Sequence, residues 1–311
     1  MDNQALLELT QSLVTRQSQA LSLADGFYAT ACPQVRLFYR ACKPTHYPML
    51  YTPGLVLLFS GQKTAQLGTT KYVYHRDQGL LLSGSYPVLC HEVASATAPL
   101  IGMHIQLERG QVAQLLSQIE QLKPKINLLK ASSPAPQTPS MLTFPITADI
   151  RLALYQVLQV LGDEIAAQLF AETLIQALIY VLIQQAAVHR FLQAWVAQDG
   201  RYAQFLKATD YIQSQLATAL TVPRIASQAG LSVASLNRAF KHYTAHTPMQ
   251  YVKKLRLSKA HSQLTQTACT IQTAAYEVGY ESVSQFSREY SRLFGAPPLR
   301  HRNEQNSRRT N

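Results

Sequence analysis

The chain has 311 residues, 47 % apolar and 14 % charged, which excludes a disordered or fibrous protein and leaves room for about two domains. Its formal charge of +11 is unevenly spread: residues 201–311 carry 15 lysines and arginines against 5 acids, and residues 1–200 carry 13 against 12. That asymmetry points to a polyanionic partner for the last third, with nucleic acid ahead of an anionic membrane, although a well-solvated basic surface gives the same count.

In chain order, Met1 to Thr10, with Asp2 and Glu8, lacks the basic start and apolar core of a signal peptide. Leu6, Leu9, Leu13 and Leu21 predict a short amphipathic helix over residues 3–23. From Val35 to Leu107 the texture changes to seven β-like runs: Val35–Tyr39, Leu55–Phe59, Thr64–Leu67, Lys71–Tyr74, Leu80–Ser83, Val88–Val93 and Leu100–Leu107. Turn residues such as Pro53-Gly54, Ser60-Gly61 and Gly84-Ser85 separate them, so a small barrel or sandwich is expected. Gln111–Leu129 reads as a helix, and Ala131–Ser140, with three prolines in ten residues, as a loop or linker. Ile150–Val160 and Ala166–Ala197 return to helical periodicity, with Leu169, Leu174, Leu178, Leu182 and Ile183 as a stripe facing a core or a partner helix. Ala167–Val188 is the greasiest stretch, but Gln168, Glu172, Gln176 and Gln184 leave no run of about 20 apolar residues. Cys32, Cys42, Cys90 and Cys269 show no metal-ligand spacing and suit a reducing cytosol. The expectation is a soluble, cytoplasmic chain with no membrane partner.

Beyond Asp199-Gly200 the pattern is helical with Gly- or Pro-marked breaks, and it repeats. Ile225-Ala226-Ser227-Gln228-Ala229-Gly230-Leu231-Ser232 is echoed by Ala274-Ala275-Tyr276-Glu277-Val278-Gly279-Tyr280-Glu281, 49 residues on. Leu236, Arg238, Phe240 and Pro248 are echoed 50 residues on by Phe286, Arg288, Tyr290 and Pro298. Each copy has the makings of a helix-turn-helix. Small residues let two helices approach, a glycine supplies the left-handed turn, and Ser232 or Ser282 caps the second helix. That helix buries Leu236 and Phe240, or Phe286 and Tyr290, on one face. The other face carries Asn237, Arg238 and Lys241, or Ser284, Gln285, Ser287 and Arg288, which can reach phosphates or base edges in a major groove.

This tail resembles the DNA-binding domain of the AraC/XylS family of bacterial regulators. The most specific residues are Gly279-Tyr280-Glu281-Ser282, Phe286-Ser287-Arg288-Glu289-Tyr290 and Phe294-Gly295-Ala296-Pro297-Pro298. The first copy matches through Ala229-Gly230-Leu231-Ser232, Leu236-Asn237-Arg238-Ala239-Phe240-Lys241 and Thr247-Pro248-Met249-Gln250-Tyr251, and Tyr251 to Leu264 is similar to the family's linker helix. Ala245 stands where glycine is usual, His301 where tyrosine is usual, and Ser291 where lysine is common. The resemblance puts Ala234, Asn237 and Arg238 at the base-contacting positions of the first recognition helix, and Ser284, Gln285 and Arg288 at those of the second. Phosphate contacts fall to Ser232, Lys241, Lys253, Lys254, Ser282, Arg292 and Arg302. For Arg238 and Arg288 a phosphate contact stands as the alternative to base readout.

Pro48 to Leu107 is in turn similar to the cupin-like amino-terminal domain of one AraC subgroup, through Tyr51-Thr52-Pro53, Gly61-Gln62-Lys63, Leu67-Gly68, Tyr72-Val73-Tyr74 and Gly79-Leu80-Leu81-Leu82-Ser83. Cupin folds also host metal enzymes, but His46, His75, His91 and His104 show no His-x-His spacing, and no catalytic motif is present. The fold expected is α+β. Residues 1–198 form a small cupin-like β-barrel with flanking helices (helical segment 146–198), and residues 201–303 form an all-α domain of two helix-turn-helix units joined by a linker helix. Residues 304–311 form a basic polar tail. The function implied is a non-enzymatic, sequence-specific transcription regulator, by analogy an activator, without cofactor, metal or catalytic residues. Its partners would be double-stranded DNA, RNA polymerase if it activates, a small-molecule effector in the barrel, and a second copy through the N-terminal domain. Two alternatives stay open: an effector-independent regulator whose barrel only dimerises, and a cupin-type metal enzyme fused to a DNA-binding tail.

Overall fold

Leu6, Leu13 and Val14 are buried along one side of α1 (Asn3–Gln17), the first element of a computed structural model that describes residues 2–17, 26–41, 45–95, 97–122, 140–197, 200–266 and 269–303. Nine strands follow: β1 (Gly26–Ala29), β2 (Val35–Arg40), β3 (Thr45–Tyr51), β4 (Gly54–Ser60), β5 (Gln62–Leu67), β6 (Thr70–His75), β7 (Gln78–Leu82), β8 (Tyr86–Val93) and β9 (Leu100–Gln106). After α2 (Arg109–Leu122) and β10 (Met141–Pro145) come α3 (Ala148–Val160), α4 (Glu164–Leu182) and α5 (Ala186–Val196). The strands form one antiparallel sheet in the order β1-β2-β9-β4-β7-β6-β5-β8-β3, with β10 added on β7. It is a curled barrel left open, with β1 and β3 as its edges. All seven β-like runs are strands; β1, β3 and β10 are additional. β3 escapes a pattern reading because Pro48 breaks it, a residue tolerated where the strand lies at an edge. β10 is anchored by buried Met141 and Phe144, and a side chain on Gly79 would put a Cβ 2.5 Å from the Phe144 ring.

The helical block after the barrel is two helices rather than one, α4 capped by Asp163 and α5 beginning beyond Gln185. α4 packs on α3 through Ala167, Ala171, Ile175, Leu178, Ile179 and Leu182. Of the predicted stripe, Leu178, Leu182 and Ile183 are buried, but Leu169 is 65 % exposed. The reason is periodicity: Leu169 and Leu178 are nine residues apart, which puts them on opposite sides at 3.6 residues per turn. Ile165, Leu169, Phe170 and Tyr180 on α4 and Leu152 on α3 are each exposed. By length and composition alone α4 is apolar enough to cross a membrane; its inner face belongs to the domain core.

The remaining helices are α6 (Arg201–Ser214), α7 (Val222–Gln228), α8 (Val233–Thr244), α9 (Pro248–Gln266), α10 (Ile271–Glu277) and α11 (Val283–Phe294). One apolar core runs unbroken from the curled sheet through α3–α5 into α6–α8 and α9 as far as Leu255. A separate core gathers Leu257, Ala260, Leu264, Ala274, Ala275, Val278, Tyr280, Phe286 and Tyr290. Polar bonds line the seam between barrel and first unit: Tyr251 OH donates to the Ser85 carbonyl (2.7 Å), Ser140 Oγ to the Tyr243 carbonyl (2.6 Å), and Tyr202 OH meets Ser83 Oγ. Residues 131–139 of the predicted linker Ala131–Ser140, residues 123–129 of the predicted helix Gln111–Leu129, and the predicted tail 304–311 lie outside the described residues.

Candidate nucleic-acid interface

Both turns close by the same bonds. Gly230 (φ +66) ends α7 with Leu231 N–H donating to the Ala226 carbonyl (2.9 Å), and Gly279 (φ +86) follows α10 with Tyr280 N–H donating to the Ala275 carbonyl (3.0 Å). A left-handed residue lets a helix stop within one residue, and glycine takes that conformation without a Cβ clash. Ser232 Oγ then accepts from Ser235 N–H (3.1 Å), and Ser282 Oγ from Gln285 N–H (3.3 Å), opening α8 and α11. Each second helix buries one face, Leu236 and Phe240 or Phe286 and Tyr290, against the unit it belongs to.

The outer faces carry the predicted readers. Ala234 and Arg238 are exposed on α8 and Asn237 is half-buried; Ser284, Gln285 and Arg288 are all exposed on α11. On α8, Asn237 Nδ2 donates to the Val233 carbonyl (2.9 Å) and Arg238 Nη2 to Ser235 Oγ (3.0 Å), so local bonds already hold both. Among the phosphate candidates, Ser232, Lys241, Ser282 and Arg292 are exposed near the helix ends, and Arg302 is half-buried. Lys253 sits 3.7 Å from Glu289 in an ion pair, and Lys254 is half-buried, with its ammonium pushed below the usual lysine range by burial. The solvent-accessible Lys253–Glu289 pair is cheap to break, so Lys253 can still turn toward a phosphate, whereas the burial of Lys254 sets it apart from Lys241 and Arg292.

Two groups escape a pattern reading. Arg256 of α9 donates three hydrogen bonds to backbone carbonyls of both helix-turn-helix units. Inside the barrel, Lys63 (4 % exposed) lies 2.8 Å from Glu92, itself 3.4 Å from Arg40, and the ammonium faces the rings of Phe38, Tyr47 and Tyr51. Burial works to raise the Glu92 carboxyl, but Lys63 and then Arg40 outweigh it and hold the group below the usual range. Tyr47 OH donates to the same carboxylate (2.5 Å). The signal existed: alternation along β5 puts Lys63 on the same inward face as buried Ala65 and Leu67. Among the described residues no group of three His, Cys, Asp or Glu is arranged to hold a metal ion.

Residues 31–190, more than half of the chain, match the family model of the AraC-type transcriptional regulator N-terminus. The chain belongs to the AraC-type transcriptional regulators. Residues 225–304 of this AraC-type chain match a helix-turn-helix domain model as well. The HTH-type transcriptional activator RhaS of Yersinia pestis (strain Pestoides F) is 32 % identical over 106 residues, 34 % of this chain and 38 % of RhaS. The HTH-type transcriptional activator Btr of Bacillus subtilis (strain 168) is 25 % identical over 114 residues, 37 % of this chain and 20 % of Btr. The chain thus spans well under half the length of these curated relatives. ToxT from Vibrio cholerae, solved with an unsaturated fatty acid bound, superposes with a TM-score of 0.61 at 11 % identity, over 89 % of this chain and 96 % of ToxT. A second ToxT crystal form gives 0.60 at 13 % identity over 86 % and 97 %. The shared fold covers both the curled sheet and the C-terminal helices.

Proposed function

We propose that this AraC-type chain is a sequence-specific, double-stranded-DNA-binding regulator of transcription that acts in the cytoplasm, is not an enzyme, and reads one duplex with two recognition helices. The observation that carries the reading is the pair of capped helices, each presenting an arginine with amide or hydroxyl side chains, in the only strongly basic third of the chain. Arg238 and Arg288 suit guanine, Asn237 and Gln285 suit adenine, Ser284 suits either, and Ala234 offers at most a methyl contact to thymine. Ser232, Lys241, Ser282 and Arg292 flank them as phosphate partners that give a salt-dependent affinity, with Lys253, Lys254 and Arg302 behind. Two helices reading successive major-groove segments would stand about 34 Å apart, and a stiff α9 asks the DNA to bend. RhaS and Btr are activators, which supports activation here and RNA polymerase as a further partner.

The barrel is the place for a small-molecule effector in this reading, supported by the fatty acid bound in ToxT and by the buried Lys63–Glu92 pair on the inner face. A second reading, in which the N-terminal domain also pairs two chains, is favoured by the exposed Leu152, Ile165, Leu169, Phe170 and Tyr180. The test is selection of random-sequence DNA by the full chain, followed by affinity and mass of the complex in a salt series. Arg238→Ala and Arg288→Ala should each cost about 1–3 kcal/mol on the selected site and little on unrelated DNA. Equal losses on all sequences would make both arginines phosphate contacts and remove the readout claim. A mass of two chains per site would favour the pairing reading, and one chain would exclude it for the bound state.

A further inference from the structure

We infer that Arg256 fixes the placement of one reader against the other and thereby sets the separation of the two DNA segments this chain accepts, an inference that rests on the two-reader function proposed above. Arg256 lies on α9 where the shared core ends, at Leu255, and the second unit's own core begins, at Leu257. Its guanidinium bridges the units. Nε donates to the Leu216 carbonyl (2.9 Å) and Nη2 to the Thr218 carbonyl (2.6 Å), both in the first unit between α6 and α7. Nη1 donates to the Gly279 carbonyl (3.0 Å), in the turn of the second. Arginine's five N–H groups form a rigid planar fork, so three acceptors held by one fork are held relative to each other.

The contact is close as well as polar. A Cβ on Gly279 would stand 2.7 Å from the Ala217 carbonyl oxygen and 2.9 Å from Arg256 Nη2, so the second unit's turn rests directly on the first unit's backbone. Gly279 is three residues before Ser282, the N-cap of α11, and the base-reading side chains follow at once. Any slip of the turn against Leu216–Thr218 therefore moves the reading end of α11 relative to α8. α9 alone would set the distance between the units along its axis; the Arg256 bridge adds a second point of attachment off that axis. Arg256 itself touches no base and acts as a positioning residue.

The experiment uses the two-part site selected by the full-length wild type, rebuilt with spacers lengthened and shortened in single base pairs, and also each half-site alone. Wild type is expected to favour one spacer. Arg256→Ala should bind that site about tenfold more weakly, the worth of one charge-assisted hydrogen bond. It should also lose its preference among spacers while keeping wild-type affinity for each half-site. Arg256→Lys keeps the charge but offers a point donor in place of a fork, so it should show the same flattening if Arg256→Ala fails to fold. Gly279→Ala keeps Arg256 and wedges the contact, and should broaden or shift the spacer optimum. Variants that lose thermal stability yet keep the wild-type spacer profile would overturn the inference and leave Arg256 a purely structural group. A wild type that selects only a single half-site would instead sink the two-reader proposal, and the inference with it.

Discussion

The first and second helix-turn-helix units repeat the same turn, cap and buried aromatic pair, yet they are anchored differently. Phe240 packs at 5.2 Å from Phe205 and 5.3 Å from Tyr251, inside a core continuous with the barrel. Phe286 packs at 5.4 Å from Tyr280 and 5.4 Å from Tyr290, inside a core confined to the second unit. A core of that size is marginal by itself, since small units bury a smaller share of their surface. The same motif is thus expected to unfold with a large joint body in one copy and as a small unit of its own in the other.

The largest effect that sharpens this contrast comes from emptying the two cores. Phe240 and Phe286 are both fully buried, and each truncation to alanine should cost about 3–5 kcal/mol. The cost of Phe240→Ala falls on the joint body and lowers the main unfolding transition. The cost of Phe286→Ala falls on residues 257–303 and should accelerate their amide exchange by about 10² or more, while the barrel and α6–α8 stay protected. Equal loss of protection across both units in both variants would mean a single cooperative body and would end the comparison.

Much of this was legible from residues alone, and the misses have physical causes. The repeat at Gly230 and Gly279, the serine caps and the exposed polar faces of α8 and α11 follow from local rules of turns and helix ends, which tertiary packing rarely overrides. Strands β3 and β10 are fixed by pairing partners distant in sequence, Pro48 hides β3 from a pattern search, and β1 is a four-residue edge strand too short to show alternation. Leu169 and Leu178 do not share one face of α4, because an apolar residue on an apolar helix does not announce its phase. Lys253 reads as a free cation until Glu289 is found opposite it on α11. The Arg256 bridge is hidden for a different reason: its acceptors are main-chain carbonyls, which have no signature in side-chain identity.

A smaller effect separates the units by pH. On α9 the His261 ring stacks on Phe294 at 4.4 Å and its Nδ1 bonds with Tyr290 OH (2.6 Å), which also meets His301 Nδ1 (3.0 Å). Burial first, then His301 and Arg40, push the His261 imidazole down to about 4 from 6.5. Because the folded value lies below the unfolded one, the contribution is complete above about pH 6.5 and is lost as pH falls toward 4. Between pH 7 and 5 the second unit should lose about 2 kcal/mol. His104 in the barrel is also pushed down to about 4, mainly by burial, so the joint body has its own slope. Trp195, the only tryptophan, reports the joint body, and far-UV circular dichroism reports all helices. In urea melts at pH 5, His261→Phe should bring the two transitions closer together and leave the tryptophan transition unmoved. A tryptophan transition that shifts with His261→Phe would show that the second unit does not unfold separately.

The smallest effect lies at the ends of α8 and α11. Ala245 closes α8 at φ +60, and Gly295 closes α11 at φ +72. A Cβ in the left-handed region costs about 1–2 kcal/mol, so Ala245 holds strain that its counterpart avoids. Gly295→Ala should cost about 1 kcal/mol, and its methyl would meet nothing within 4 Å, so the loss would be backbone strain alone. The reverse change is not its mirror image. Ala245→Gly relieves the strain but adds about 0.5 kcal/mol of unfolded-state freedom and gives up the contact between the Ala245 methyl and Gly68 at the β5–β6 turn. A net gain of a few tenths of a kcal/mol in urea melts would show that strain outweighs that contact. A net loss would mean that the methyl holds α8 to the barrel, and that the departure from glycine in the first unit belongs to its anchoring.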